Sequence, residues 1–212
     1  ITDSLQIQHL GTVAEGNNGN GNMHVQWASK SGISSPDSRL NLSFDFLGKS
    51  ARVQVLPSLI LIKDSLWQVN EGNYVLFDSL ATTVENLSFS HLDEFIRIDG
   101  RISKNPDDEL DIILDKFRLK NINPILLSAG IRLDGQAHGI ISLAGLRKDP
   151  YFMSNLKFNG IKLNDDLLGD GQLYGKWVPS EKRIDLDGAL IAGNAPRLSF
   201  KGGFYPARKE NS

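Results

Sequence analysis

Apolar and polar residues alternate along this chain with a period of two. Across residues 39–47, Leu40, Leu42, Phe44 and Phe46 take the even positions and Arg39, Asn41, Ser43 and Asp45 the odd ones. The period returns at Ile96, Ile98, Gly100 and Ile102, then at Leu110, Ile112 and Leu114. It recurs over residues 133–143 and at Ile184, Leu186 and Leu190. A strand sends successive side chains to opposite faces, so this alternation predicts half-buried β-structure nearly from end to end.

Turn-forming residues punctuate the pattern at intervals of ~8–12 residues, the spacing of an all-β sandwich, barrel or solenoid. The punctuation falls at Asn17-Asn18-Gly19-Asn20-Gly21-Asn22, which reads as a longer hairpin loop, and at Gly48-Lys49. Further turns are signalled by Asn105-Pro106-Asp107-Asp108, Asn164-Asp165-Asp166 and Pro179-Ser180-Glu181-Lys182. Pro57 precedes Leu59-Ile60-Leu61-Ile62 and marks a strand start or an edge. Residues 29–38 read as a loop.

One short helix is predicted near residues 124–129, with Asn123 as its cap, Pro124 at its first position and Gly130 closing it. The longest alternating segment follows, with Ile131, Leu133, Gly135, Ala137, Gly139, Ile141 and Leu143 on one face. Three small residues in its middle suggest a bend or the close approach of another backbone. Strands and helices do not alternate, which argues against a parallel sheet with helical crossovers. The expectation is an all-β, antiparallel-rich fold.

With 212 residues the chain suits one large all-β domain or two small ones. Regions 1–58, 59–120 and 121–212 read as parts of one continuous domain. A formal net charge of -2, with no basic run, argues against nucleic acid as a partner. The absence of cysteine excludes disulfides, thiolate metal sites and a cysteine nucleophile. The longest apolar run, at residues 59–62, is far too short to cross a bilayer. The chain starts at Ile1 and enters strand-like sequence at once, so it reads as a piece of a longer protein.

Catalytic signatures do not emerge. His9, His24, His91 and His138 are scattered singly, without the spacing of a zinc site. Asp107-Asp108-Glu109 and Asp165-Asp166 with Asp170 lie in turn sequences and miss the calcium-loop pattern. No nucleophile elbow or phosphate-binding glycine loop is present. Trp27, Trp67 and Trp177 read as packing residues, with sugar stacking as the alternative. The sequence therefore implies no enzyme and no cofactor, and the function is expected on the apolar face of the sheet.

The C-terminal half also carries a family resemblance. Asn121-Ile122-Asn123-Pro124-Ile125-Leu126-Leu127 is followed by Ile131-Arg132-Leu133-Asp134-Gly135 and by Gly139-Ile140-Ile141-Ser142-Leu143-Ala144-Gly145. Asp149-Pro150-Tyr151, Asn155-Leu156-Lys157-Phe158, Leu168-Gly169-Asp170-Gly171 and Lys176-Trp177 then come in order. Together with Asp64-Ser65-Leu66-Trp67 and residues 95–103, this order resembles the TamB family of translocation and assembly module proteins. These are AsmA-like envelope proteins, and the likeness is to the Bacteroidetes-type members. It covers roughly residues 60–200.

The resemblance implies a sheet curled lengthwise, like a taco, around an apolar groove. It implies an inner-membrane anchor, a periplasmic body and contact with an outer-membrane barrel of the Omp85 type. The implied roles are phospholipid transport between the membranes and help in outer-membrane protein assembly, with no catalytic residues. On that reading the lipid-groove candidates are the apolar-parity residues Ile96, Ile98, Leu110, Ile112, Leu114, Leu133, Ile141, Leu143, Ile184, Leu186, Leu198 and Phe200. Scaffolding by strand augmentation and carbohydrate binding are the rival readings.

Overall fold

The computed structural model describes residues 7–29, 38–62, 65–126, 130–145, 151–192 and 195–205. Strand accounts for 78% and helix for 6%, so the fold is all-β as the alternation requires. The chain divides into two compact units, Ile1–Arg101 and Ile102–Ser212.

The N-terminal unit contains β1 (Ile7–Asn17), β2 (Asn20–Ser29), β3 (Ser38–Leu47), β4 (Ser50–Val55) and β5 (Ser58–Ile62). It continues with β6 (Ser65–Val69), β7 (Tyr74–Phe77), β8 (Ala81–His91) and β9 (Glu94–Ser103), within which the division falls. The strand order is β1-β2-β3-β4-β7-β8-β9, with β5 beside β3 and β6 beside β8. This branching is a simple meander with one interrupted hairpin. β4 and β5 run in line along β3, which meets β4 from Leu42↔Val55 onward and β5 at Arg39↔Leu59. β6 and β7 run in line along β8 in the same manner.

Side chains replace the backbone bonds lost at the interruption. Pro57 has no N–H to give, and its carbonyl accepts from Asn41 Nδ2 at 2.7 Å. Ser58 Oγ accepts the Asn41 N–H at 2.9 Å and donates to Leu56 O at 2.7 Å. Asn73 is buried and serves the other arm. Its Nδ2 donates to Val55 O at 2.8 Å and Asn70 O at 2.7 Å, while its Oδ1 accepts the Val55 N–H at 2.9 Å. Buried polar groups survive only when bonded in this way. The apolar core of this unit lies beside them, in Leu61, Trp67, Val69, Ala81 and Val84.

The C-terminal unit contains β10 (Glu109–Arg118), β11 (Leu133–Ala144), β12 (Tyr151–Leu163), β13 (Asp166–Val178), β14 (Arg183–Ala192) and β15 (Ala195–Phe204). They pair antiparallel in chain order. Within each unit the substantial strand contacts are those between hydrogen-bonded neighbours. All six described strands of the C-terminal unit belong to this one sheet.

Several local expectations need correction. The Asn17–Asn22 run is not a long loop. Asn18 (φ 51°) and Gly19 (φ 86°) form a two-residue turn, and β2 begins at Asn20. Two left-handed residues match the twist of a hairpin, which makes Asn-Gly a tight turn rather than a loose one. The helix is α1 (Asn123–Leu126), preceded by a 3₁₀ turn at Leu119–Ile122. Residues 127–129, like the loop at 30–37, lie outside the described residues. Asn123 does not cap α1. Its Oδ1 accepts the Leu133 N–H at 2.8 Å and its Nδ2 donates to Leu133 O at 2.9 Å, tying the helical turn to β11. β12 and β13 run through Gly160 and Gly169, which have positive φ and lie at the register shifts of their pairing.

Candidate functional site: the apolar face of the C-terminal unit

Directly paired residues of an antiparallel sheet share a face, so the register gathers the candidates into rows. In one row Ile112 pairs with Ile141, Ile141 with Ser154, Ser154 with Gly175, Gly175 with Leu186 and Leu186 with Gly202. In the next, Leu114 pairs with Gly139, Gly139 with Leu156, Leu156 with Leu173, Leu173 with Gly188 and Gly188 with Phe200. A third row runs Ala137, Phe158, Gly171, Leu190 and Leu198. Leu110 opposite Leu143, and Ile184 opposite Trp177, extend the same face. Leu133 has the parity of Ala137 and Ile141 but lies across a register shift, opposite Leu163. Ile96 and Ile98 sit on β9 in the N-terminal unit, both half-buried.

The candidates drawn from the sequence left out six large side chains of this face. Phe152, Leu156, Phe158, Leu173, Trp177 and Leu190 share the parity, and their period of two was the available signal. Beyond Ala137 and Gly139, the sequence reading left out the small residues that interleave with the large ones, Ser154, Gly171, Gly175, Gly188 and Gly202. A β-carbon placed on Gly175 would lie 2.7 Å from Ser154 Oγ and 3.4 Å from Phe152 Cε2. One on Gly171 would meet Ile161 Cδ1 and Leu190 Cδ2 at 3.1 Å. Large side chains therefore lie sideways over neighbouring glycines, which shields them within the plane of the sheet.

That lateral cover sets the burial. Leu110, Ile112, Leu114, Leu133, Ile141, Leu143, Ile184 and Leu186 are half-buried, neither sealed nor free. At the last strand the cover runs out, and Leu198 and Phe200 are 52% and 41% accessible. Side chains sealed between two layers would be nearly inaccessible.

Bulges cluster along one line of this sheet. The register shifts between Leu114 and Phe117 on β10, where Lys116 has φ 49°, and between Asp134 and Gln136 on β11. β12 shifts next to Gly160 (φ 60°), whose N–H is taken up by Asp170 Oδ1 at 2.9 Å. His138 stands at the β10 bulge, its Nδ1 2.9 Å from Asp115 Oδ1 and its Nε2 3.2 Å from Asn159 Nδ2. Bulges bend strands and increase their twist, and of the three small residues read as a bend or a close backbone approach Gly135 lies at the β11 register shift, while Gly139 has the Asn155 carbonyl against it.

The opposite face is polar and holds an open cleft of about 920 Å³. Ile140, Met153 and Tyr174 floor it, with Lys176, Arg183, Asp185, Asp187 and Lys201 around them. These charges largely satisfy one another. Arg183 donates from Nε to Asp185 at 2.6 Å and pairs with Glu181, and hydrogen bonds to Asp185 and Tyr205 push its pKa still higher. Lys201 lies 2.8 Å from Asp187, a contact that raises its pKa. Of the apolar-parity candidates, Leu186 alone lines the cleft. No group of three His, Asp or Glu side chains able to hold a metal ion occurs among the described residues. No helix among them is long and apolar enough to cross a membrane.

Of the tryptophans, Trp67 is buried against His91, whose ring centroid is 5.7 Å away, and Trp177 belongs to the apolar face. Compared with known families, characterised proteins and solved structures, the chain has no significant match.

Proposed function

We propose that this chain is a non-enzymatic segment of a TamB-like envelope protein whose apolar β-surface shields lipid acyl chains during phospholipid transport between inner and outer membranes. One observation carries the reading. The candidates on β10, β11, β14 and β15 share a single face, half-buried on the first three strands and exposed on β15, and the six described strands of their unit all belong to one sheet. Such a surface gains ~0.8 kcal/mol for each CH₂ of a hydrocarbon tail it takes from water. It offers few directed polar contacts, so it suits chains of variable length and saturation.

The reading places the segment in the periplasm, curled lengthwise around its apolar groove, within an inner-membrane-anchored protein. The full-length protein would meet an Omp85-type barrel. Scaffolding of outer-membrane strands is the second reading, because the described pairing of β15 is with β14 alone. Carbohydrate stacking draws little support from a buried Trp67 and from Trp177 on the apolar face.

Native mass spectrometry of the chain, purified without detergent from cells with an intact envelope, tests the proposal. Adducts at phospholipid masses are expected in the parent and lost in a folded Ile112→Asp variant. A clean protein mass in the parent overturns the lipid reading, and competition by a barrel-derived peptide would then favour the scaffold.

A further inference from the structure

The N-terminal unit exposes apolar side chains at one end of its sheet. Phe46 and Leu47 close β3, Phe77 closes β7, and Leu80 lies in the turn that follows; they are 60, 58, 46 and 74% accessible. Phe46 is paired with Ala51 and Ala51 with Phe77, so both phenylalanines project from one face. Leu47, the next residue along the strand, projects from the other. The turns at Gly48-Lys49 and Ser79-Leu80 flank an open pocket of about 330 Å³ walled by Phe46 and Phe77. Apolar surface thus wraps around the end of the sheet.

That geometry restricts the occupant. A second sheet laid on one face would cover Phe46 and Phe77 and leave Leu47 in water. A strand added to an edge would reach none of them, because β4 already has β3 on one side and β7 on the other. An occupant that takes the hairpin ends head-on covers all four, as the interfacial zone of a bilayer does. The tip also carries charged side chains. Asp78 is turned onto its own loop, its Oδ1 accepting the N–H groups of Leu80 at 2.6 Å and Ala81 at 2.7 Å. Asp45 stands opposite Arg52 in the register. Lys49 is exposed at the tip of its turn, where a long stem can carry the ammonium to headgroup level.

We propose that these hairpin ends dock the N-terminal unit on the interface of an anionic lipid bilayer, with Phe46, Leu47, Phe77 and Leu80 at the acyl boundary and Lys49 on the headgroups. The site shares no residue with the apolar face of β10–β15. Vesicle binding and lipid retention can therefore fail independently.

The test is co-sedimentation of the whole chain with phosphatidylcholine vesicles, with and without phosphatidylglycerol. The parent is expected to sediment with the anionic vesicles. The Phe46→Ser/Leu80→Ser double variant should lose about tenfold or more in partitioning, since each change removes several buried carbons. Lys49→Glu, in an exposed turn, should weaken binding only where phosphatidylglycerol is present. Leu92→Ser should bind like the parent, although Leu92 is 83% accessible, because it lies in the turn at the other end of β8. No binding by the parent, or an equal loss in Leu92→Ser, overturns the proposal. So does a parent multimer that the double variant dissociates while neither protein binds vesicles, since a second copy would then cover the tip.

Discussion

The ring of Phe200 lies over the α-carbon of Gly188, its directly paired neighbour on β14, so closely that a β-carbon at Gly188 would collide with the ring. Gly139 presents the opposite case on the same face. There φ is +134° and a β-carbon would run into the backbone carbonyl of Asn155. The two glycines look alike in sequence and differ in what must move to accommodate a methyl group.

Gly139→Ala should therefore cost about 1–3 kcal/mol, since the strain falls on backbone that cannot rotate away. Gly188→Ala should cost less, about 1 kcal/mol or below, because the half-exposed Phe200 ring can swing outward. In a Phe200→Ala background the Gly188 change should become nearly neutral. Urea denaturation of the parent, the three single variants and the Gly188→Ala/Phe200→Ala double variant measures both differences, and equal costs for the two glycines would contradict the assignment.

Asn73→Ala should rank among the most damaging polar substitutions. It leaves the Val55 N–H, Val55 O and Asn70 O without their side-chain partner in a buried site, a loss of about 2–4 kcal/mol. Hydrogen exchange should show the protection of β4 and β7 falling before that of β11–β13. Uniform loss across both units would show instead that they unfold as one.

Ile112→Ala separates a half-covered face from a sealed core. Truncation inside a closed core costs about 2–5 kcal/mol, and a side chain already partly wetted should fall below that range. Chemical denaturation decides the matter, with a loss at the upper end of the range pointing to a second layer over Ile112.

Lys201 carries a pH dependence at the last strand. Asp187 raises its pKa above the ordinary 10.5, chiefly through their hydrogen bond. A raised folded-state value means that the contribution is fully present below the unfolded pKa and is lost as pH climbs through the folded one. Amide exchange at the β14–β15 pairing should therefore accelerate beyond its intrinsic alkaline trend above that range. Asp187→Asn should remove the excess and return the amine titration, followed by NMR, toward its ordinary position.

The alternation of residues 39–47, 110–114, 133–143 and 184–190 determined the all-β class, the approximate strands and which side chains share a parity. These are local properties, because the two-residue period follows from backbone geometry alone. Gly48-Lys49 and the 164–166 run marked their turns for the same reason. The sequence missed that Gly160 and Gly169 sit inside strands, since a glycine with positive φ suits a bulge as well as a turn, and only the partner strand decides which. Register likewise came from the tertiary structure. It set Phe200 over Gly188, lined Ile112 up with Ile141 and Leu186, and brought Phe46 and Phe77 to one face of one sheet end. Parity tells which way a side chain points along its own strand, whereas what it meets depends on hydrogen bonds to residues distant in the chain.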